Sequence, residues 1–376
     1  MNEGHHWFTQ MRKTVKLLFG SDLPDLPESA FTLPQLHGQQ GAQQGSQQSA
    51  QPGARPGPYP GVPSNSSPHT HAHFDLPASV FDTPASPVRI PPGAHFMSGV
   101  YANDAGSRSY KLYVPSSWKG QALPLVVMLH GCAQDPDDFA AGTQMNAVAE
   151  ERRCFVVYPA QSPDANNSRC WNWFNALDNN HGQGEPSLIA GITRDIMDTY
   201  PVATGQVYIA GMSAGGAMAV IVGTLYPELF AAVGVHSGLP FAAARDLSSA
   251  LAAMKRGAGS ARTVKSAGLP IIVFHGDQDT TVHPVNGEEL MEQGLRSHPL
   301  GPKALPSRLA GRVPDGHAYT RTKHWLHDGS PLAEHWVVHG AGHAWSGGSP
   351  AGSYTDDKGP DASREMMRFF ATVRGG

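Results

Sequence analysis

From about residue 95 onward the chain alternates short apolar runs with stretches of helical spacing, a pattern few architectures can accommodate. The run Leu123 to Leu129 (LPLVVML) is apolar without alternation, as in a strand covered on both faces. Similar strand signals fall at 109–115, 154–160, 206–211, 231–237, 269–276 and 334–340. Between them lie helical stretches at 138–152, at 187–199 with Leu188, Ile189, Ile192 and Ile196 on one side, and from 214 onward. A closing helix is expected over 362–373. Strands alternating with helices imply βαβ units, hence an α/β fold with a mostly parallel central sheet and helices on both faces.

The chain has 376 residues, 40% of them hydrophobic and 15% charged, which is enough for one large core. A net charge of −4 with no basic cluster argues against a nucleic-acid partner. No apolar run is long enough to span a bilayer. Phe8, Met11, Val15 and Leu18 follow helical steps, so a short amphipathic helix is expected within 1–20. The apolar stretch there, Leu17-Leu18-Phe19, is too short for a secretory signal, which needs about 7–15 apolar residues. Residues 21–94 are rich in Gln, Pro and Gly and are read as a disordered or linker region. His69, His71 and His73 alternate within it, but no further metal ligand is placed beside them. The folded α/β domain is therefore expected over 95–376.

The chemistry centres on Gly211-Met212-Ser213-Ala214-Gly215, a G-x-S-x-G pattern directly after a strand and before a helix. A sharp strand-to-helix turn of this kind presents a serine at the helix N-terminus, where amide groups favour negative charge. A hydroxyl is a poor nucleophile until a base takes its proton, and an acid must orient that base. In the strand order this pattern implies, the acid and the base follow the serine on later loops. The 269–276 strand ends in Asp277-Gln278-Asp279, so both carboxylates are candidates for the acid. The 334–340 strand ends in Ala341-Gly342-His343, and His343 is the candidate base. His130, His236, His275, His283 and His339 also lie at or near strand ends; His275 and His339 precede glycines inside those ends and are read as packing or hydrogen-bonding residues. The two amides of an oxyanion hole are expected from Ala214 and from Cys132 in the loop after Leu129.

The segments LHGCAQ, CWNWF, GMSAGG, HGDQDTTV and GAGHAWSGG occur in this order. Together they resemble the polyhydroxybutyrate-depolymerase-type esterases of the α/β-hydrolase superfamily, from about residue 95 to the end. The resemblance implies an α/β-hydrolase fold, with Ser213 as nucleophile, His343 as base and Asp279 rather than Asp277 as acid. It also implies a disulfide between Cys132 and Cys170, with two reduced thiols as the alternative. Cys154, at a strand start, is read as a small buried hydrophobe. Secreted polymer depolymerases of this type usually carry an export signal and a polymer-binding module, and neither is found in this sequence. Both absences argue against action on crystalline polymer. Within the oligomeric or polymeric ester substrates of the family, the implied ones are therefore short-chain hydroxyalkanoate oligomers or related esters, with feruloyl or acetylated plant polysaccharide as the alternative. A non-catalytic granule- or polymer-binding protein of the same fold is the rival from another class. Neither a metal nor an organic cofactor is expected. The family favours an extracellular location and the missing signal the cytoplasm; oligomeric state is left open.

Trp171 and Trp173 fall in the long connection after the 154–160 strand, and Trp345 lies two residues past His343. Such loops cover the carboxyl ends of the strands, where ligands bind. These rings are expected either to contact substrate or to plug the underside of the loops.

Overall fold

Alternate side chains of the run 123–129 serve two different cores. Leu123, Leu125, Val127 and Leu129 belong to one buried cluster, whereas Val126 and Met128 belong to the other. Successive side chains of a strand point to opposite faces, so an unbroken apolar run must be covered on both. The computed structural model describes residues 90–175, 180–259 and 268–373. The helix expected within 1–20 and nearly all of the region 21–94 lie outside the described residues.

One ten-stranded sheet carries the fold. Its strands are β1 (His95–Asn103), β2 (Gly106–Val114), β3 (Leu123–Leu129), β4 (Phe155–Pro159), β5 (Val202–Met212), β6 (Ala232–His236), β7 (Ile271–Gly276), β8 (Leu305–Arg312), β9 (Ala318–Trp325) and β10 (Pro331–Val338). They lie in the order β1-β2-β4-β3-β5-β6-β7-β10-β9-β8. The inner strands from β4 to β10 are parallel to one another. Antiparallel hairpins, β1–β2 and β8–β9, close the two edges.

Helices cover both faces, as the two-sided burial requires. Helices α3 (Gly184–Thr199), α4 (Ala214–Leu225), α5 (Leu247–Arg256) and α6 (Val285–Ser297) bury one face. Helices α1 (Pro136–Thr143), α2 (Met145–Arg152) and α7 (Ala362–Phe370) bury the other. Helix α7 seats Met366, Phe369 and Phe370 on the sheet, with the Phe370 ring stacked on Tyr208 at 4.7 Å.

The one helix expected over 138–152 is two. Asp135 caps α1 by accepting from the amides of Asp137 and Asp138, and Gln144, left-handed at φ 53°, turns the chain into α2. The edge strands β1, β8 and β9 and helices α5 and α6 were not anticipated from the pattern. β8 is exposed along nearly its whole length, so it carries no hydrophobic alternation to read. Two short parallel strands, β11 (Trp345–Ser346) and β12 (Thr355–Asp356), brace the loop beyond β10. Among the described residues no helix is long and apolar enough to cross a membrane. Cys154 is fully buried, and burial pushes its thiol up to about 12.

Candidate active site

The turn between β5 and α4 brings its serine out on a strained backbone. Ser213 has φ 55° and ψ −121°, a conformation that L-residues rarely adopt, and its amide donates to the His236 carbonyl at 2.9 Å. The flanking glycines are dictated by the same turn. A Cβ on Gly211 would collide with the Gly215 carbonyl, and one on Gly215 would collide with the carbonyls of Leu129 and His130. Strand β3 and helix α4 therefore approach as closely as bare backbone permits.

The loop after β3 lies beside this serine. A Cβ built on Gly131 would sit 3.7 Å from the Ser213 Cβ. Within that loop the Gly131 amide donates to Gln134 Oε1 at 2.9 Å, and the Ala133 amide donates to the Ser168 carbonyl at 2.7 Å. Ala133 itself is left-handed at φ 64°. Among the described residues the amides of Cys132 and Ala214 have no backbone acceptor. Cys132 and Cys170 are joined by a disulfide, which ties this loop to the segment 161–172. That segment is held by buried Glu185 at the start of α3. Its carboxylate accepts from the Asn172 amide and side chain, each at 2.8 Å, from Gln161 Nε2, and from Arg108 at 3.2 Å.

The two carboxylates after β7 have separate partners. Asp279 is 4% exposed and accepts from His343 Nδ1 at 2.7 Å through Oδ2. Its Oδ1 accepts the amides of Thr281 and Val282, both at 2.9 Å. Burial alone would raise the pKa of this carboxyl, but His343 and His275 outweigh it and hold Asp279 well below the usual carboxylate range. With Nδ1 of His343 engaged by Asp279, Nε2 is the nitrogen left to exchange a proton. Asp277 instead accepts from His339 Nδ1 at 2.8 Å and from the Gly340 amide at 2.7 Å, pinning the end of β7 to the end of β10. Thr320 Oγ1 meets the other nitrogen of His339 at 2.9 Å.

The remaining strand-end histidines are structural in their contacts. His275 Nε2 faces the Val282 carbonyl at 2.8 Å and Asp279 Oδ2 at 3.5 Å. His130 takes the Gln161 amide on Nε2 at 3.1 Å, and burial lowers its pKa to about 4. His236 stands between the elbow and the His343 loop, a position that sequence order does not disclose. Gln134 and Glu185 were likewise not singled out, because their partners lie in loops with no periodic signal.

The three tryptophans are packed rather than presented. Trp171 is fully buried against His130 at 5.7 Å, and Trp173, 4% exposed, lies edge-on to Phe174 at 5.7 Å. Trp345 sits between Phe139 and His236, with its Nε1 donating to Ser363 Oγ at 3.2 Å. The three rings face core side chains and expose almost no surface, which is the packing arrangement of the two the sequence offers. Among the described residues no group of three His, Cys, Asp or Glu side chains is arranged to hold a metal ion.

A family model described as esterase PHB depolymerase matches residues 108–313. Over 297 residues the chain is 28% identical to poly(3-hydroxyalkanoate) depolymerase C of Paucimonas lemoignei, covering 73% of this chain and 69% of that one. It is 28% identical over 200 residues to feruloyl esterase B of Thermothelomyces thermophilus, covering 48% of this chain and 67% of the relative. Among solved structures, the acetyl xylan esterase from Aspergillus awamori superposes with a TM-score of 0.57 at 19% identity, over 74% of this chain and 99% of that one. That last likeness is one of fold.

Proposed function

The chain belongs to the esterase PHB depolymerase family, is an esterase and has the α/β-hydrolase fold, and we propose that Ser213, His343 and Asp279 are its catalytic triad. The observation that carries the proposal is the buried pair of His343 Nδ1 and Asp279 Oδ2 at 2.7 Å, on the loops expected to face a serine held at φ 55°.

The reaction runs in two steps. His343 Nε2 takes the Ser213 proton as Oγ attacks the ester carbonyl, and Asp279 stabilises the imidazolium that forms. The amides of Cys132 and Ala214 receive the oxyanion of the tetrahedral intermediate. Collapse expels the alcohol with a proton from His343, and the acyl group stays on Ser213. Water, deprotonated by His343, then releases the acid and restores the serine.

The substrate class proposed first is hydroxyalkanoate ester oligomers, because the match to the poly(3-hydroxyalkanoate) depolymerase spans more of this chain than the match to the feruloyl esterase. We place the enzyme in an oxidising compartment, where the Cys132–Cys170 bridge is stable.

Labelling with a fluorophosphonate probe, followed by peptide mapping, tests the nucleophile. Ser213 should carry the adduct, and Ser213→Ala should lose roughly 10⁴-fold or more in turnover of a p-nitrophenyl ester. Near-normal hydrolysis by that variant would remove the proposal. A panel of hydroxybutyrate oligomers, feruloyl esters and acetylated xylan ranks the substrate classes; a higher kcat/KM on either polysaccharide ester would overturn the first choice.

A further inference from the structure

The base has to reach its nucleophile across the sheet. Ser213 follows β5 and His343 follows β10, and β6 and β7 lie between those strands. Three strand spacings of about 4.8 Å separate them, roughly 14 Å in all. The loop after β10 must therefore fold back over β7 toward β6.

His236, the last residue of β6, touches both sides. Its carbonyl accepts the Ser213 amide at 2.9 Å, and its ring Nε2 accepts the Ser346 amide at 2.9 Å, three residues past His343. The ring is 1% exposed and lies between Phe274 (5.9 Å, 14°) and Trp345 (5.2 Å, 27°), nearly parallel to both. We propose that His236 is a positioning residue that sets the nucleophile turn and the loop of the base in register, through its carbonyl on one side and its ring nitrogen on the other.

The chemistry fixes the state of the ring. An amide N–H points at Nε2, so Nε2 carries the lone pair and the proton sits on Nδ1, 3.2 Å from Ser237 Oγ. Burial first, then the neighbouring His275 and His343, lower its pKa to about 3, so the acceptor persists through the neutral range. The ring touches neither substrate nor the reacting atoms in this account; it acts through His343. The inference rests on the reading of Ser213 and His343 as nucleophile and base.

Two substitutions separate positioning from packing. His236→Phe keeps an aromatic plane between Phe274 and Trp345 but offers no acceptor. His236→Gln gives up the stack but places an amide oxygen near the position of Nε2. Since a misplacement of about 1 Å costs on the order of a hundredfold, kcat of His236→Phe should fall about 10- to 100-fold. KM should stay within about twofold, the mark of an interaction realised in the transition state. His236→Gln should recover at least part of that loss. If His236→Phe equals or exceeds His236→Gln, or matches the wild type, the positioning role is wrong. The wild-type enzyme gives a reading that needs no variant: ¹⁵N NMR of histidine-labelled protein should show His236 protonated on Nδ1, and an Nε2-protonated ring overturns the proposal. That reading is independent of the triad, whose own failure would show instead as an active Ser213→Ala.

Discussion

Replacing Asp279 by asparagine probes the buried pair most directly. The side chain keeps its shape, and its Oδ1 can still accept the amides of Thr281 and Val282. The change falls on Oδ2, which now accepts from His343 Nδ1 at 2.7 Å and lies 3.5 Å from His275 Nε2. An asparagine held by those two amides turns its NH₂ toward both histidines. His343 can answer only by presenting an unprotonated Nδ1, which moves its proton to Nε2 and abolishes the lone pair proposed to act as base. The loss expected for a wrong-tautomer triad is about 10⁴-fold in kcat, or about 5.5 kcal/mol in the barrier. Asp277→Asn is the control. Its carboxylate joins His339 and Gly340 at a partly exposed strand end, and its loss should cost less than about tenfold. Steady-state hydrolysis of a p-nitrophenyl ester, with circular dichroism as a check on folding, measures both. An Asp279→Asn enzyme with more than about a tenth of wild-type kcat, or an Asp277→Asn enzyme that is the more damaged, would refute the reasoning.

Gly215→Ala should abolish turnover or folding, because its Cβ would overlap the carbonyls of Leu129 and His130; a variant with wild-type kcat and Tm would show that β3 yields freely. Reducing the Cys132–Cys170 bridge, whose ends are 38 positions apart, returns chain entropy to the unfolded state, a stability loss of about 4 kcal/mol, and frees the loop whose Cys132 amide is the proposed oxyanion donor. Both the denaturation midpoint and esterase activity should therefore fall under reductant, and an unchanged midpoint would count against that estimate. His130, His236 and His335 are buried neutral, with pKa values lowered to about 4, 3 and 3. Their folded-state values lie below the unfolded value, so each contributes fully above about pH 6.5. As pH falls from 6.5 toward those values, each contribution declines by about 1.4 kcal/mol per unit. At pH 5 that is about 2 kcal/mol for each histidine, and urea titrations at pH 7 and pH 5 should show it. His335→Asn should flatten the difference, and an equal slope in the variant would remove His335 from this account.

What the sequence discloses depends on whether a residue's neighbours are near it in the chain. The run 123–129 reads as a doubly covered strand from its own seven residues, and its side chains do enter both cores. His343 and the pair Asp277 and Asp279 stand out because they lie just past apolar strands, but position does not choose between the two carboxylates; the family resemblance favours Asp279, and the folded sheet brings it to 2.7 Å from His343. His236 looks no different in sequence from His130 or His275, since all three sit at strand ends; its distinction is the Ser346 amide, 110 residues away. Trp171, Trp173 and Trp345 show why loop aromatics are hard to assign. The chain order puts them over the strand ends, but which way each ring turns is decided by Phe139, His130 and Phe174. The β8–β9 hairpin fails for the opposite reason: exposed β8 has no buried face to impose a period.

The buried position of Cys154 has a consequence for how the protein matures. Three cysteines permit three different single bridges, and a chain that oxidises at random would trap two wrong ones. Once folded, Cys154 is sealed beneath the sheet as a neutral thiol, while Cys132 and Cys170 lie with their Cα atoms 4.2 Å apart. A neutral, inaccessible thiol neither attacks a bridge nor receives one. Oxidation after folding therefore has one outcome, with the fold itself as the template for pairing.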